Sequence, residues 1–569
     1  MTMVKRIILC VLGGVSLLLL SCTPRQYARQ ADRDAYRTVR TRQGVAIGTT
    51  RPFDIAYAPS GYGPGGTLQA VKVNARVIEL NAEKPSVLKV GEALEIAFRN
   101  SRDFQTRKET VYSAALALAN ARRSWDYPLL LGDVAALAEH VKENKGPETP
   151  QATADPQATL TQQFYHGGVL TLGYALSFAS DFSGIDNVLA SSLLSADFRQ
   201  PLLRGAWRGF AYEGVYRQER DFVFALYDYE RFRDLLAANV YTEYYSVLEA
   251  RDQLENEQAN IQRLKQTFAL TRVLVEGGQR SRIEQDQAEQ NLMTAQVRLE
   301  RVERLYRDSL DDFKLLIGLP VLANVVADYP AALGELAQAG TRPLGLSGAR
   351  AVEVAMMTDP DLLERRSAVR DAVRDVEIAA DAFLPQLDVQ VQISAPGQGT
   401  RDFQRTRFDR HVRTGRLTLD YPLNQTDNRD VYRVAMIAQA QAERDLVEEE
   451  EQVRLVVLRR YRLLEESRRS YDIQKRNVEL AQRRRLLAAL QQKEGQASAR
   501  DVLEAEADLL DAQNGLTQAL VSYVTTRLVF LAELGMVYVD PRGRIEEREV
   551  PLMFDRIQRR YPYVGPAGR

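Results

Sequence analysis

Gly278-Gln279-Arg280-Ser281-Arg282-Ile283-Glu284 and, 217 positions later, Gly495-Gln496-Ala497-Ser498-Ala499-Arg500-Asp501 are two copies of one interruption in an otherwise unbroken, charged pattern. The same offset relates Ala288 to Ala505, Ala295-Gln296 to Ala512-Gln513 and Gly318 to Gly535. Pro201 and Pro320 bracket the first copy and Pro422 and Pro541 the second, each pair 119 positions apart with no proline between. Agreement at so many positions marks an internal repeat. Between Ala206 and Glu276 the chain is rich in Ala, Leu, Gln and charge, and ~70 helical residues at ~1.5 Å each extend roughly 100 Å. Globular helices average ~10–14 residues, so this length predicts a coiled coil or a tube wall. A glycine at the interruption supplies the positive φ that ends a helix and turns the chain back. The helix resumes over Asp286 to Leu316 and Asp501 to Leu534, giving two long hairpins with tip turns at Gly278 and Gly495.

Upstream of each hairpin a second correspondence runs at an offset of 258: Ala93 to Ala97 against Ala351 to Ala355, and Arg102-Asp103-Phe104 against Pro360-Asp361-Leu362. Pro201 and Pro422 differ by 221, so the first copy carries 37 extra residues. These fall near 129–163, where Lys145-Gly146-Pro147 and Pro156 predict a flexible insert. Each copy opens with a helical pattern, Val90 to about Trp125 and Ala349 to about Phe383. Alternation with period two follows. Leu170, Leu172, Tyr174, Leu176 and Phe178, then Leu194, Ala196 and Phe198, interleave with small or polar residues; so do Leu387, Val389, Val391 and Ile393, then Leu417, Leu419 and Tyr421. These are strands of ~10 residues with one apolar face, the pattern of a membrane-spanning β-strand. Four strands cannot close a barrel, and an amphipathic sheet in lipid cannot leave edges open, so closure requires further copies of the chain.

The 569 residues hold 75 basic and 76 acidic side chains, a balance that argues against nucleic-acid binding through a basic field. His140, His166 and His411 are scattered and only Cys10 and Cys22 are present, too few soft ligands for a Cys/His metal site. Lys5 and Arg6 precede an apolar run, Ile7 to Leu20, of signal-peptide length. It ends in Leu19-Leu20-Ser21-Cys22, similar to the lipobox of bacterial lipoproteins, in which the cysteine is lipidated and becomes the N-terminus. Thr23 stands where an Asp would favour inner-membrane retention. The expected organisation is a signal peptide over 1–21, a lipidated extension over 22–87, repeats over 88–320 and 349–537 separated by a linker over 321–348, and a tail over 538–569.

Taken together, these features resemble the TolC-type outer-membrane efflux family. The carriers are the duplicated Gly-x-x-Ser-x-x-(Asp/Glu) segments, the Leu-Gly pairs at Gly318 and Gly535, the helix-to-strand entry Ala379 to Leu387, and the exits Gln200-Pro201-Leu202 and Tyr421-Pro422-Leu423. The resemblance covers about residues 88 to 537. It implies a mainly α fold in which long helical hairpins form a periplasmic α-barrel and four strands per chain close a twelve-stranded β-barrel in a homotrimer. It further implies a passive outer-membrane exit duct, lipid-anchored at Cys22, with a periplasmic adaptor, an inner-membrane pump and outer-membrane lipid as partners, and with no enzyme activity, metal, cofactor or nucleic acid. A periplasm-spanning coiled-coil lipoprotein that tethers an envelope complex accounts for the helices and the lipid but leaves the paired strands without a role.

Candidate functional residues cluster at the tips. Asp501, Glu504 and Asp508 stand at i, i+3 and i+7, on one helical face. In the family, acidic side chains at the positions of Asp501 and Glu504 point into the closed aperture, so three copies would present a carboxylate ring that holds cations. Glu284 is the first-copy equivalent of Asp501, whereas Gln287 stands in the place of Glu504. Arg282 and Arg500 are candidate latches, and Arg483-Arg484-Arg485 reads as a solvated or adaptor-facing patch.

Overall fold

A computed structural model describes residues 24–46, 52–57, 59–61, 68–73, 76–81, 83–141, 149–181, 188–339, 344–398, 411–494, 496–539 and 545–547. The expected signal peptide, Cys22 and Gly495 lie outside these. In chain order the elements are α1 (Pro24–Ala46), β1 (Val71–Val73), β2 (Arg76–Ile78), β3 (Ser86–Leu88), α2 (Val90–Asn100), α3 (Arg102–Asp126), β4 (Leu129–Val141), β5 (Thr149–Gln163), β6 (Val169–Asp181), β7 (Val188–Pro201), α4 (Arg208–Ala211), α5 (Glu213–Glu276) and α6 (Arg282–Leu316). There follow β8 (Val325–Ala327), α7 (Ala331–Ala339), α8 (Gly348–Thr358), α9 (Pro360–Asp381), β9 (Gln386–Gln398), β10 (Val412–Asp420), α10 (Thr426–Lys493), α11 (Ala499–Glu533), β11 (Val537–Val539) and β12 (Ile545–Glu547).

The long hairpins are present in both copies. α5 has 64 residues and α10 has 68, and each is followed by a partner of 35. Their ends obey the repeat. Gly318 and Gly535 have φ of +72° and +66°, and the closing bonds Leu319 N–H to Lys314 O and Met536 N–H to Leu531 O, at 2.9 and 2.8 Å, are the same motif displaced by 217. α6, α5, α11 and α10 pack side by side in that order, an open row with α6 and α10 at its ends. Both end helices leave large apolar side chains uncovered: Met293 and Val297 on α6, and Val447, Ile473, Leu480 and Leu487 on α10, all more than half exposed.

The first helix of each copy is broken, where one continuous helix was expected. Ser101 and Asp359, again 258 apart, turn into extended backbone and accept the N–H of Phe104 (3.3 Å) and Leu362 (3.0 Å), capping α3 and α9. A short polar side chain that satisfies an orphan N–H at a helix start outweighs continuation of the apolar period.

The β-sheet departs further from expectation. It has six strands, ordered β10-β9-β7-β6-β5-β4 and antiparallel throughout. The expected strands are β6, β7, β9 and β10; the expected flexible insert at 129–163 is instead the hairpin β4–β5, so the count of four strands per chain is corrected to six. Pro156 misled the reading because proline lacks the N–H a central strand needs. The sheet accommodates it by a gap: the β5–β6 ladder runs through Gln157↔Ala175 and Ala154↔Phe178 but omits the two pairs between. The Ser177 hydroxyl donates to the Asp155 carboxylate at 2.5 Å across that gap.

The core lies where the repeats meet. β3 pairs in parallel with β8, joining the segment before the first repeat to the linker after it, and the boundary expected after residue 87 falls inside β3. Tyr244 on α5 is fully buried, donates to Leu88 O (3.0 Å) and accepts from Asp328 N–H (2.9 Å). Phe313, Tyr523 and Phe530 bury their rings in the same cluster, each worth ~1.5–3 kcal/mol of transfer free energy.

Candidate functional site

The wall of the molecule has two chemically distinct faces. Directly opposed residues share a face of an antiparallel sheet, and the row Leu130, Leu160, Leu172, Ala196 and Ile393 crosses five strands. Val391 lies opposite Phe198 on that face, and Leu417 and Leu419 stand opposite Val389 and Leu387. The reverse face carries Thr159, Thr161, Thr171, Ser195, Asp197, Gln390, Gln392, Thr414 and Thr418. Polar groups pair across its strands: Gln390 donates to Asp197 at 2.6 Å, and Arg199 donates to Asp388 at 2.5 and 3.1 Å. One apolar and one polar face, on strands of 9 to 15 residues, is the geometry of a sheet between lipid and water.

Where the sheet joins the helices an aromatic cluster forms. Trp125, at the end of α3, meets Tyr212 at 5.3 Å and Tyr165 of the β5–β6 turn at 6.0 Å, and Tyr212 meets Tyr216 at 5.1 Å. Amphipathic rings at one level are the usual marker of a membrane–water boundary. Beneath it, Glu213 is 5% exposed and accepts from Arg220 (2.9 Å) and Arg217 (3.3 Å), with Arg374 at 3.1 Å. Burial alone would push its carboxyl up, but Arg220 and Arg374 hold it below the usual carboxylate range.

At the opposite end of the hairpins, Gly278 has φ +71°, and Gln279 N–H bonds Leu274 O at 2.9 Å; at the second tip Gln496 N–H bonds Gln491 O at 2.8 Å. The Arg280 guanidinium donates to Ala497 O at 2.7 Å, tying one tip to the other. Asp501 forms a capping box: its carboxylate accepts Ser498 N–H and Oγ–H, both at 2.8 Å, while Asp501 N–H bonds Ser498 Oγ at 3.3 Å. The Ser498 hydroxyl, then its N–H, hold the Asp501 carboxyl below the usual range. Glu284 lies 3.9 Å from Arg280. Glu504 is 3.8 Å from Arg484, which also pairs with Asp508. Arg484, from within the run read as a solvated patch, thus meets both Glu504 and Asp508, and Arg280 joins the tips.

The sequence reading missed Glu506. It is 4% exposed, pairs with Arg263 of α5 and lies 3.7 Å from Arg485 of α10, so one carboxylate holds three helices. The signal was available: Val502, Ala505, Glu506 and Leu509 share the apolar face of α11. Further along the α5–α11 seam Asn256 donates to Asn514 at 3.0 Å and Thr517 to Asp252 at 2.6 Å. This seam is polar at intervals through its length. Among the described residues no group of three His, Cys, Asp or Glu side chains is placed to hold a metal ion.

Residues 200–319, from the end of β7 to the end of the first hairpin, match the outer membrane efflux protein family. No curated protein matches the chain by sequence. Among solved structures, CusC is similar with a TM-score of 0.57 at 16% identity, covering 78% of this chain and 91% of its own. The Campylobacter jejuni CmeC outer membrane channel reaches 0.55 at 14% identity, with 89% of this chain and 98% of that chain covered. The open state of the Neisseria gonorrhoeae MtrE outer membrane channel reaches 0.55 at 15% identity, with coverages of 78% and 88%. The family match on the first hairpin and the structural likeness along most of the chain show that the chain has the fold of these outer membrane channels, with the hairpin-and-sheet unit duplicated.

Proposed function

We propose that three copies of the chain close into an outer-membrane exit duct for a tripartite efflux or type I secretion system, passive and without chemistry of its own. The observation that carries this reading is the pair of open rows. Among the described residues the sheet ends in two unpaired strand edges and the helical layer in two helices with uncovered apolar side chains, so both layers are completed by the same operation, rotation onto another copy. The apolar sheet face then meets outer-membrane lipid and the polar face lines water. Helices of ~96–102 Å at ~1.5 Å per residue carry the lumen toward a periplasmic adaptor and an inner-membrane pump. Lipid on Cys22, immediately before α1, adds an anchor at the membrane; α1 packs on α3, with Tyr112 Oη donating to Asp32 at 2.7 Å and Arg123 to Asp34 at 2.9 Å.

In this reading the narrow point is the ring of tips, and Asp501, Glu504, Asp508 and Glu284 supply its charge. Glu504 and Asp508 are partnered by Arg484 within one chain, whereas the Asp501 carboxylate is exposed and kept ionised, so Asp501 contributes most to a cation-attracting aperture. The test is planar-bilayer recording of the protein extracted from outer membranes. A trimer with cation-selective conductance supports the duct, and a non-conducting coiled-coil oligomer in the periplasmic fraction overturns it.

A further inference from the structure

We infer that the hairpin β4–β5 is part of the barrel wall, so that three chains close an eighteen-stranded barrel whose free edges, β4 of one copy and β10 of the next, form the subunit seam; this rests on the trimeric duct proposed above. Four observations carry it. The pairing is complete: thirteen consecutive residues of β4 pair with β5, and β5 pairs with β6 on both sides of the Pro156 gap. The faces continue through β5: Leu160 and, on β4, Leu130 extend the apolar row of Leu172, while Gln157, Thr159 and Thr161 extend the polar one, which on β4 keeps Asp133, accepting from Gln157 at 2.9 Å, among Leu129 and Leu131. The parity is right: in an antiparallel sheet of six strands the two edge strands run in opposite directions, so β4 meets the next copy's β10 antiparallel, which an odd number would forbid.

The fourth observation is that β4 cannot stand as a free edge. Leu129 and Leu131 on one face and Leu130 and Val134 on the other are 48–70% exposed, and an unpaired strand apolar on both faces is a template for pairing. The opposing edges also differ in charge on the polar face, with Asp133 on β4 and Arg416 on β10. β5 occupies the edge of β6 that a four-stranded subunit would offer to its neighbour, so a twelve-stranded ring of three subunits requires the hairpin to be peeled from the sheet. Barrel diameter grows roughly linearly with strand number, so eighteen strands give a pore about 1.5 times as wide as twelve, in the range where a barrel holds an open aqueous channel. The outer mouth is then wide and the size limit passes to the hairpin tips.

The experiment uses the full chain purified from outer membranes. Leu131→Cys on β4 is combined in turn with Thr414→Cys, Arg416→Cys and Thr418→Cys on β10, and Gly173→Cys on β6 is combined with the same three; disulfides are formed by mild oxidation. The inference expects covalent trimers from a β4–β10 pair and none from β6–β10, and it is overturned by the reverse pattern or by a covalent dimer as the closed species. In parallel, deletion of 129–163 is expected to lower the polymer size excluded from the sheet side to about two-thirds in diameter, the ratio of twelve strands to eighteen; an unchanged cut-off in a trimeric, conducting deletion overturns the inference while leaving the duct intact. If the deletion fails to assemble, the cysteine pairs decide alone. Absence of both conductance and trimers overturns the duct and this inference together.

Discussion

Gly318 and Gly535 occupy one repeat position and share one backbone conformation, yet their surroundings differ. A β-carbon at Gly318 would stand 2.7 Å from Asn100 Cβ and 2.9 Å from Asn100 O, whereas at Gly535 it meets nothing within 4 Å. Asn100 cannot retreat, because its amide donates to Ser60 O (2.8 Å) and Gly318 O (3.2 Å) and its oxygen accepts Ser60 N–H (2.8 Å). Gly535→Ala should therefore cost only the ~1–2 kcal/mol of a left-handed β-carbon, and Gly318→Ala a further ~1–3 kcal/mol of overlap. Equilibrium urea unfolding of the two variants checks this, and equal losses would refute it. Glu213 gives a second test at this scale. Glu213→Gln leaves Arg217, Arg220 and Arg374 short of their carboxylate; because these arginines remain partly solvated, the loss should be ~1–3 kcal/mol, below that of a fully buried pair. Glu213 has a depressed folded pKa, so its contribution is present above the ordinary carboxylate range and is lost as pH falls through the folded value. The destabilisation by Glu213→Gln should accordingly shrink in acid.

Among the elements, the α5–α11 seam behaves unlike the apolar layers around it. A buried carboxylate held by Arg263 and approached by Arg485 is costly to half-remove and cheap to replace whole. Glu506→Gln should lower the melting temperature markedly, by the equivalent of ~2–4 kcal/mol, and Arg263→Met combined with Glu506→Leu should recover most of it. A double variant no better than the single would show that the pair contributes net attraction, not orientation. At the tip, Asp501→Asn keeps an oxygen for the Ser498 N–H while removing the charge, so it should alter cation selectivity together with a small loss of stability, since the ionised carboxylate is the form the cap favours. Ser498→Ala should lose ~1 kcal/mol of cap with selectivity kept. Bilayer recording and thermal melting of the same preparations separate the two effects.

The long helices, their tip at Gly278 and four of the six strands were legible because each follows from a period, a glycine or a proline counted along the chain. The caps at Ser101 and Asp359 were present as the same 258-residue offset but were overridden by an apolar pattern that continues across them. β4–β5 was not legible, because Pro156 and the Lys145-Gly146-Pro147 sequence signal a break by local chemistry, and what rescues the strand is pairing on both sides and a Ser177–Asp155 bond. Glu506 and Arg484 were missed for a related reason: which neighbour a charge meets depends on how the four long helices pack, and no period along one helix contains that.

For the molecule as a whole, a long thin wall has little interior in which to hide charge, and the carboxylates it does cover are under tension. Asp228 and Glu364, and further along Glu243, Glu249, Glu257, Asp371 and Glu533, are all raised, in each case first by burial; for Asp228 the Asp361 carboxylate adds to it, and for Glu364 both Asp228 and Asp361 do. An acid whose folded pKa lies above its unfolded value stabilises the fold fully below the unfolded value and loses that contribution as pH rises through the folded one. Glu213 and Asp501 act with the opposite sign, but only where pH falls below the ordinary carboxylate range. Seven raised groups against two lowered ones predict that stability increases from neutral pH down toward ~4–5 and then falls. The assembly should therefore gain in melting temperature as pH is lowered from 7.5 toward the ordinary carboxylate range, and Glu364→Gln, which removes one strained carboxylate beside Asp228, should raise the melting temperature at pH 7.5 and flatten that gain. A melting curve that declines steadily from pH 7.5 to 5.5 would place the dominant carboxylates on the lowered side and contradict the crowding of Asp228, Asp361 and Glu364 along the α5–α9 contact.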